Sequence, residues 1–197
     1  MWGSIHYHNR VPSVYALKPG FQNLLSPCVH RLAVWGITPN QVTLLACGLS
    51  VALGIDLTIG NRLWILLPFF LPLRMALNAI DGMLARTHGL ETKTGAVLNE
   101  LCDLISDAAL TIPFAYLLHP IGVGLAIFFA ALTEVAAIVG GGPRRNHGPF
   151  GKSDRAVALG FGGAWLWLGW PLHQWLPLVW IAMCGVTVWN RGKAFAG

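Results

Sequence analysis

Six apolar stretches, over roughly residues 41–60, 63–85, 95–118, 120–140, 156–170 and 175–190, make up most of this 197-residue chain. They constrain its fold more than any other feature. A helix crosses the hydrocarbon core of a bilayer with about 20 apolar residues, so the first four stretches are long enough to span. The last two are shorter. The turn Pro171-Leu172-His173-Gln174 between them, flanked by Trp170 and Trp175, reads as a membrane interface rather than the tip of a re-entrant hairpin. Composition points the same way. Only 11% of the residues are charged and 55% are apolar, against about 25% charged in a typical soluble domain. Such a chain has too little polar surface to stay compact in water. The expected fold class is an all-α polytopic membrane protein with six transmembrane helices.

Ahead of the first stretch, residues 14–35 mix Leu24, Leu25, Val29, Leu32 and Val34 with Lys18, His30 and Arg31. That pattern predicts an amphipathic helix lying on the membrane surface. The chain therefore divides into an N-terminal segment, residues 1–37, and a six-helix domain, residues 38–197. Met1 to Pro12 has no apolar run of the signal-peptide kind, so the first stretch is expected to remain in the mature protein.

Eleven of the 13 Lys and Arg fall on one side of this layout. They are Arg10, Lys18, Arg31, Arg86, Lys93, Arg144, Arg145, Lys152, Arg155, Arg191 and Lys193. Only Arg62 lies opposite, and Arg74 sits within a stretch. Positive loops stay inside, so both termini are predicted to be cytoplasmic. The net charge of +5 is spread over short loops with no aromatic-interleaved basic patch, which excludes a nucleic-acid partner. Cys28, Cys47, Cys102 and Cys184 have no metal-ligand spacing and read as packing residues.

A charge inside a span costs about 2.5–3.5 kcal/mol near the bilayer centre. This chain nevertheless places Arg74 and Asp81 in the second stretch, Asp103 and Asp107 in the third, and Glu134 in the fourth. Asn99, Asp103 and Asp107 recur every four residues and share one helix face, as do Arg74, Asn78 and Asp81. The short loop between these two stretches makes them antiparallel neighbours whose polar faces meet near the cytoplasmic boundary. Converging carboxylates in a low dielectric repel one another. Three arrangements relieve that conflict. A divalent cation on oxygen ligands would be Mg²⁺, Mn²⁺ or Ca²⁺ rather than zinc. Protonation would indicate a proton-coupled carrier. Ion pairing would set Arg74 against Glu134 or Asp81.

The segment Asp81-Gly82-Met83-Leu84-Ala85-Arg86, followed after eight residues by Gly95, then Asn99 and Asp103, resembles a known signature. It is that of the CDP-alcohol phosphotransferase (CDP-alcohol phosphatidyltransferase) family, D-x-x-D-G-x-x-A-R, about eight residues, G-x-x-x-D-x-x-x-D. Thr38-Pro39-Asn40-Gln41-Val42-Thr43 is similar to the family's T-P-N-x-x-T start of the first span. Two positions depart from the pattern, with Asn78 and Asn99 standing where the signature has Asp.

The resemblance implies transfer of a phosphatidyl group from a CDP-linked lipid such as CDP-diacylglycerol to an alcohol acceptor, with release of CMP, in phospholipid biosynthesis. It implies Mg²⁺ or Mn²⁺ held by Asp81 and Asp103, with Asn78 and Asn99 in support, and Asp103 as general base. An Asn ligates a hard cation through its carbonyl oxygen but brings no charge; Asp107, one turn beyond Asp103, and Glu100 are the candidates to make up the loss. Gly82, Ala85, Arg86, Gly95, Asn40 and Thr43 are the implied nucleotide residues, the small ones because they let a base approach the backbone. Lys152 and Arg155, with Arg144 and Arg145 of the glycine-rich basic loop, are the candidates for binding the acceptor or a phosphate. A homodimer in a bacterial inner membrane is the implied setting. A relative that binds the CDP-lipid without turnover is the alternative that Asn78 and Asn99 raise.

Overall fold

The computed structural model describes residues 18–60, 63–139 and 148–196. Among these the protein is all-α, with seven helices and no strand. They are α1 (Lys18–Val34), α2 (Pro39–Thr58), α3 (Leu66–Thr87), α4 (Lys93–Thr111), α5 (Pro120–Ile138), α6 (Lys152–Trp167) and α7 (Leu176–Ala196). Each of the six apolar stretches thus carries a helix, α2 to α7. The expected surface helix is α1, apart from its residues 14–17, which lie outside the described residues.

The third stretch departs from a continuous helix. α4 ends at Thr111, and a 3-10 segment, Ile112–Tyr116, completes it. Pro113 cannot donate the hydrogen bond that would continue the α-helix.

The expectation of six spans by length and apolarity holds for fewer helices. Only α2 and α5, among the described residues, are both long and apolar enough to cross a bilayer. α3 carries Arg74 and Asp81, α4 carries four charged residues, α6 has only 16 residues, and α7 ends in Asn190, Arg191 and Lys193. The charges that lower their hydropathy are those that gather inside the bundle. Arg74, Asp81, Asp103, Glu134, Arg155 and Arg191 are all buried. Large apolar side chains face outward instead, among them Leu44 and Leu45 on α2, Phe69 on α3, Ile105 on α4, Phe128 on α5, Phe161 on α6 and Trp189 on α7.

Small residues set the helix spacing. α2 packs extensively on α4, and a Cβ added at Gly54 would overlap the Ala109 carbonyl. α6 lies on α3 through Gly163, where a Cβ would come 2.7 Å from Leu67 Cβ. Dispersion between closely approaching backbones is what holds helices together where lipid removes the hydrophobic drive. Gly54→Leu is therefore expected to cost about 1–3 kcal/mol through overpacking, read as a lowered melting temperature in detergent. An unchanged melting temperature would mean that α2 and α4 do not touch there.

The bundle core is formed by Leu53, Leu57, Leu67, Leu71, Leu110 and Phe114, with Trp64 edge-on to Phe114 at 5.0 Å. α1 is anchored by Val29, which joins Val42, Ile80 and Leu84 at the end of α3 that carries the signature residues.

Candidate active site

Three helix ends converge on the site. Thr38 begins α2 with a reciprocal cap: Gln41 N donates to Thr38 Oγ1 at 3.3 Å, and Thr38 N donates to Gln41 Oε1 at 2.9 Å. Pro39 occupies the first turn, where a missing N–H costs nothing. Capping by Thr38 leaves Asn40 and Thr43 for the site. α4 begins at Thr92, whose hydroxyl accepts from Gly95 N at 2.9 Å. The last turns of α3 face these two starts.

Between them lies an open cavity of about 180 Å³. Asn40, Thr43, Asp81, Gly82, Ala85, Arg86, Gly95 and Asn99 all line it. The structure therefore brings together all six residues singled out for the nucleotide, with Asp81 and Asn99 of the cation set. Gly95 has no room for a side chain, since a Cβ would lie 2.8 Å from Thr92 Oγ1 and 3.0 Å from Asn40 Oδ1. The Arg86 guanidinium folds back over Gly82, within 3.2 Å of where a Cβ would be.

Behind the cavity runs a chain of alternating charges. The Thr43 hydroxyl lies 2.7 Å from Asp81 Oδ2. Asp103 Oδ1 accepts from Asn78 Nδ2 at 2.8 Å, and Asp103 Oδ2 pairs with Lys152 Nζ. Arg74 reaches Asp103 Oδ1 at 3.5 Å and Asp107 Oδ1 at 2.6 Å. Arg155 pairs with Asp107 Oδ2 and Glu134 Oε1, both at 2.9 Å, and donates to Thr133 Oγ1 at 2.8 Å. Arg191 donates to the Thr133 carbonyl and lies 4.0 Å from Glu134. The series ties α3, α4, α5, α6 and α7 together.

This geometry corrects the ion pairs expected from sequence. Arg74 meets Asp103 and Asp107, not Glu134 or Asp81. Glu134 meets Arg155 and Arg191. Arg191 counted in the sequence only as an inside-positive charge, and its place in the network had no signal there beyond its position at the end of an apolar stretch. Asp107 is brought beside Asp103 but has a guanidinium on each oxygen. Arg155 is 2% exposed, whereas the Lys152 side chain is 26% exposed. Arg144 and Arg145 lie outside the described residues.

Whether these residues suit a divalent cation is decided by their oxygens. Among the described residues no three His, Cys, Asp or Glu form a ready metal cluster. Asn99 Oδ1 is nonetheless buried without a hydrogen-bond partner among the described residues, and Asn99 and Asp81 line the same cavity. A buried acceptor left without a donor carries a desolvation cost, and a cation relieves it. Two carboxylates with two amide carbonyls form an all-oxygen set that fits a hard cation.

An all-α bundle with this signature lining an end cavity defines a class. The chain belongs to the CDP-alcohol phosphatidyltransferase family, whose sequence profile matches residues 36–189. It is a transferase that moves a phosphatidyl group from a CDP-linked lipid to an alcohol in phospholipid biosynthesis. Among its relatives is the inner membrane protein YnbA of Escherichia coli K12, 40% identical over 185 residues, covering 90% of this chain and 92% of that one. The phosphatidylinositol phosphate synthase of Corynebacterium glutamicum is 36% identical over 100 residues, covering 49% of this chain and 43% of the synthase. In fold, the chain resembles the Mycobacterium tuberculosis phosphatidylinositol phosphate synthase crystallised with manganese and citrate. The TM-score is 0.69 at 22% identity, covering 86% of this chain and 88% of that one. The same synthase with CDP-DAG bound aligns with a TM-score of 0.66, also at 22% identity, covering 87% and 91% of the two chains.

Proposed function

We propose that the protein transfers the phosphatidyl group of CDP-diacylglycerol to an alcohol acceptor, releasing CMP, at the cytoplasmic face of a bacterial inner membrane. The observation that carries this reading is the cavity. It gathers Asn40, Thr43, Asp81, Gly82, Ala85, Arg86, Gly95 and Asn99 from three helices, with Asp103 and Lys152 paired behind them.

In this reading the acceptor hydroxyl attacks the lipid-bearing phosphorus, the phosphoanhydride bond breaks, and CMP leaves with the bonding electrons. Asp103 takes the hydroxyl proton. Asn78 and Lys152 hold its carboxylate in place from two sides. Thr43 fixes Asp81. Gly82, Ala85 and Gly95 leave the flat surface against which the cytosine rests, and Arg86 meets a phosphate. A divalent cation, Mg²⁺ or Mn²⁺, held by Asp81, Asp103 and the amide oxygens of Asn78 and Asn99, supplies neutralisation of the pyrophosphate charge when bound. Lys152 is the described candidate for meeting the acceptor, with Arg144 and Arg145 as further candidates from the sequence.

The membrane setting rests on the inside-out distribution of polarity. Six helices, α2 to α7, span the bilayer in this reading, their apolar faces in lipid and their charges inward. Trp167, Trp170 and Trp175 are exposed at one end of the bundle, and Trp35 and Trp189 at the other, as interfacial indoles require. α1 lies on the cytoplasmic surface and both termini are cytoplasmic. The protein works as a homodimer. The acyl chains stay in lipid while nucleotide and acceptor come from water.

The reading is tested by CMP release from purified protein in liposomes containing CDP-diacylglycerol, with Mn²⁺ and a panel of alcohols and phosphorylated alcohols. Metal-dependent release with one acceptor is expected. Binding of the CDP-lipid without release would favour the non-catalytic relative that Asn78 and Asn99 raise. For the cavity, Gly95→Ala is expected to weaken CDP-diacylglycerol binding by about tenfold or more, equivalent to about 1.4 kcal/mol, because the methyl displaces Thr92 and Asn40. Unchanged affinity would remove Gly95 from the nucleotide site.

A further inference from the structure

Asp81 and Asp103, the two carboxylates of the signature, differ in what already holds them. Asp81 lines the cavity with a hydroxyl, Thr43, as its hydrogen-bond partner. Asp103 has one oxygen beside Asn78 and Arg74 and the other on the Lys152 ammonium. Lys152 is the first residue of α6. At 26% exposure its side chain meets solvent, unlike the buried Arg74 and Arg155. Asp103 and Lys152 both lie near enough to Asp81 to act on it electrostatically. Asn99 Oδ1, buried and without a hydrogen-bond donor among the described residues, belongs to Asp81's side of the cavity.

We infer that Lys152 is a resident cation of the site, its ammonium on Asp103 serving where a second divalent ion would sit, so that the chain binds one divalent cation, on the side of Asp81 and Asn99. This rests on the transferase reading above. The charge balance argues for it. Asp81, Asp103 and Glu91 bring three negative charges and Lys152 and Arg86 two positive, leaving a single negative charge to attract a dication. One dication turns that set to a net single positive charge, which a pyrophosphate then offsets. A second dication would raise it to three, with two amides in place of compensating carboxylates, and like charges gathered in a low dielectric repel one another. The deeper carboxylates cannot supply the difference, since Asp107 and Glu134 already face Arg74, Arg155 and Arg191.

Mn²⁺ binding decides it, counted by electron paramagnetic resonance on the purified full chain in detergent without nucleotide. The wild type is expected to take one Mn²⁺ per chain. Lys152→Met should admit a second ion or bind the first at least about tenfold more tightly, while Lys152→Arg, which keeps the charge, should match the wild type. If Lys152→Met loses its helical spectrum, Asn78→Asp decides the same point, because a carboxylate added beside Asp103 should recruit the second ion. Two Mn²⁺ in the wild type, none in the wild type, or no change in Lys152→Met or Asn78→Asp would overturn the inference. CMP release is read in parallel. One Mn²⁺ per chain without CMP release would sink the transferase reading and leave the role of Lys152 standing.

Discussion

Asp103→Asn is expected to lower CMP release by about a thousandfold or more, within or beyond the 10²–10⁴ range of a positioned general base. Asparagine keeps the shape of the side chain but cannot accept the acceptor's proton, and it removes one of the two carboxylates of the signature. The fold should survive the change. Arg74 retains Asp107 at 2.6 Å, and Lys152 is partly solvated, so neither cation is stranded. Expression, helical content and melting temperature should therefore stay near wild type, while single-turnover CMP release from CDP-diacylglycerol disappears. The split matters because a purely structural Asp103 would lose stability and activity together. Wild-type turnover in Asp103→Asn would remove it from the chemistry.

The helices and the signature were legible in the sequence because each depends on local information. Apolar runs report helices directly, and the four-residue spacing of Asn99, Asp103 and Asp107 fixes their common face whatever surrounds them. The site cavity followed for the same reason. Its residues sit at fixed offsets from the start of α2, the end of α3 and the start of α4, and two short connections bring those three ends together.

The ion pairs were not legible. Which carboxylate Arg74 meets depends on the rotation of α3 against α4, and apolar periodicity defines that rotation poorly when every helix is apolar on its outer face. Glu134 on α5 could reach several cations by sequence alone; the closeness of α5 to α7 is what delivers Arg191 to it. The break at Pro113 was hidden by the largely apolar run of residues 108–118. Hydropathy does not register a missing N–H.

Arg155 tests the distinction between a structural charge and a substrate-binding one. The sequence pattern and the resemblance make it a phosphate residue, yet it is 2% exposed and joins Asp107, Glu134 and Thr133 across three helices. Removing one partner of a buried ion pair leaves an uncompensated charge and costs about 3–5 kcal/mol. Arg155→Met should therefore lower the melting temperature sharply. Arg74 still reaches Asp107 at 2.6 Å, and Arg191 lies 4.0 Å from Glu134. A sharply lowered melting temperature with an unchanged KM would identify Arg155 as a clasp between α4, α5 and α6. A normal melting temperature in Arg155→Met, with a raised KM for a phosphorylated acceptor, would instead return it to the substrate.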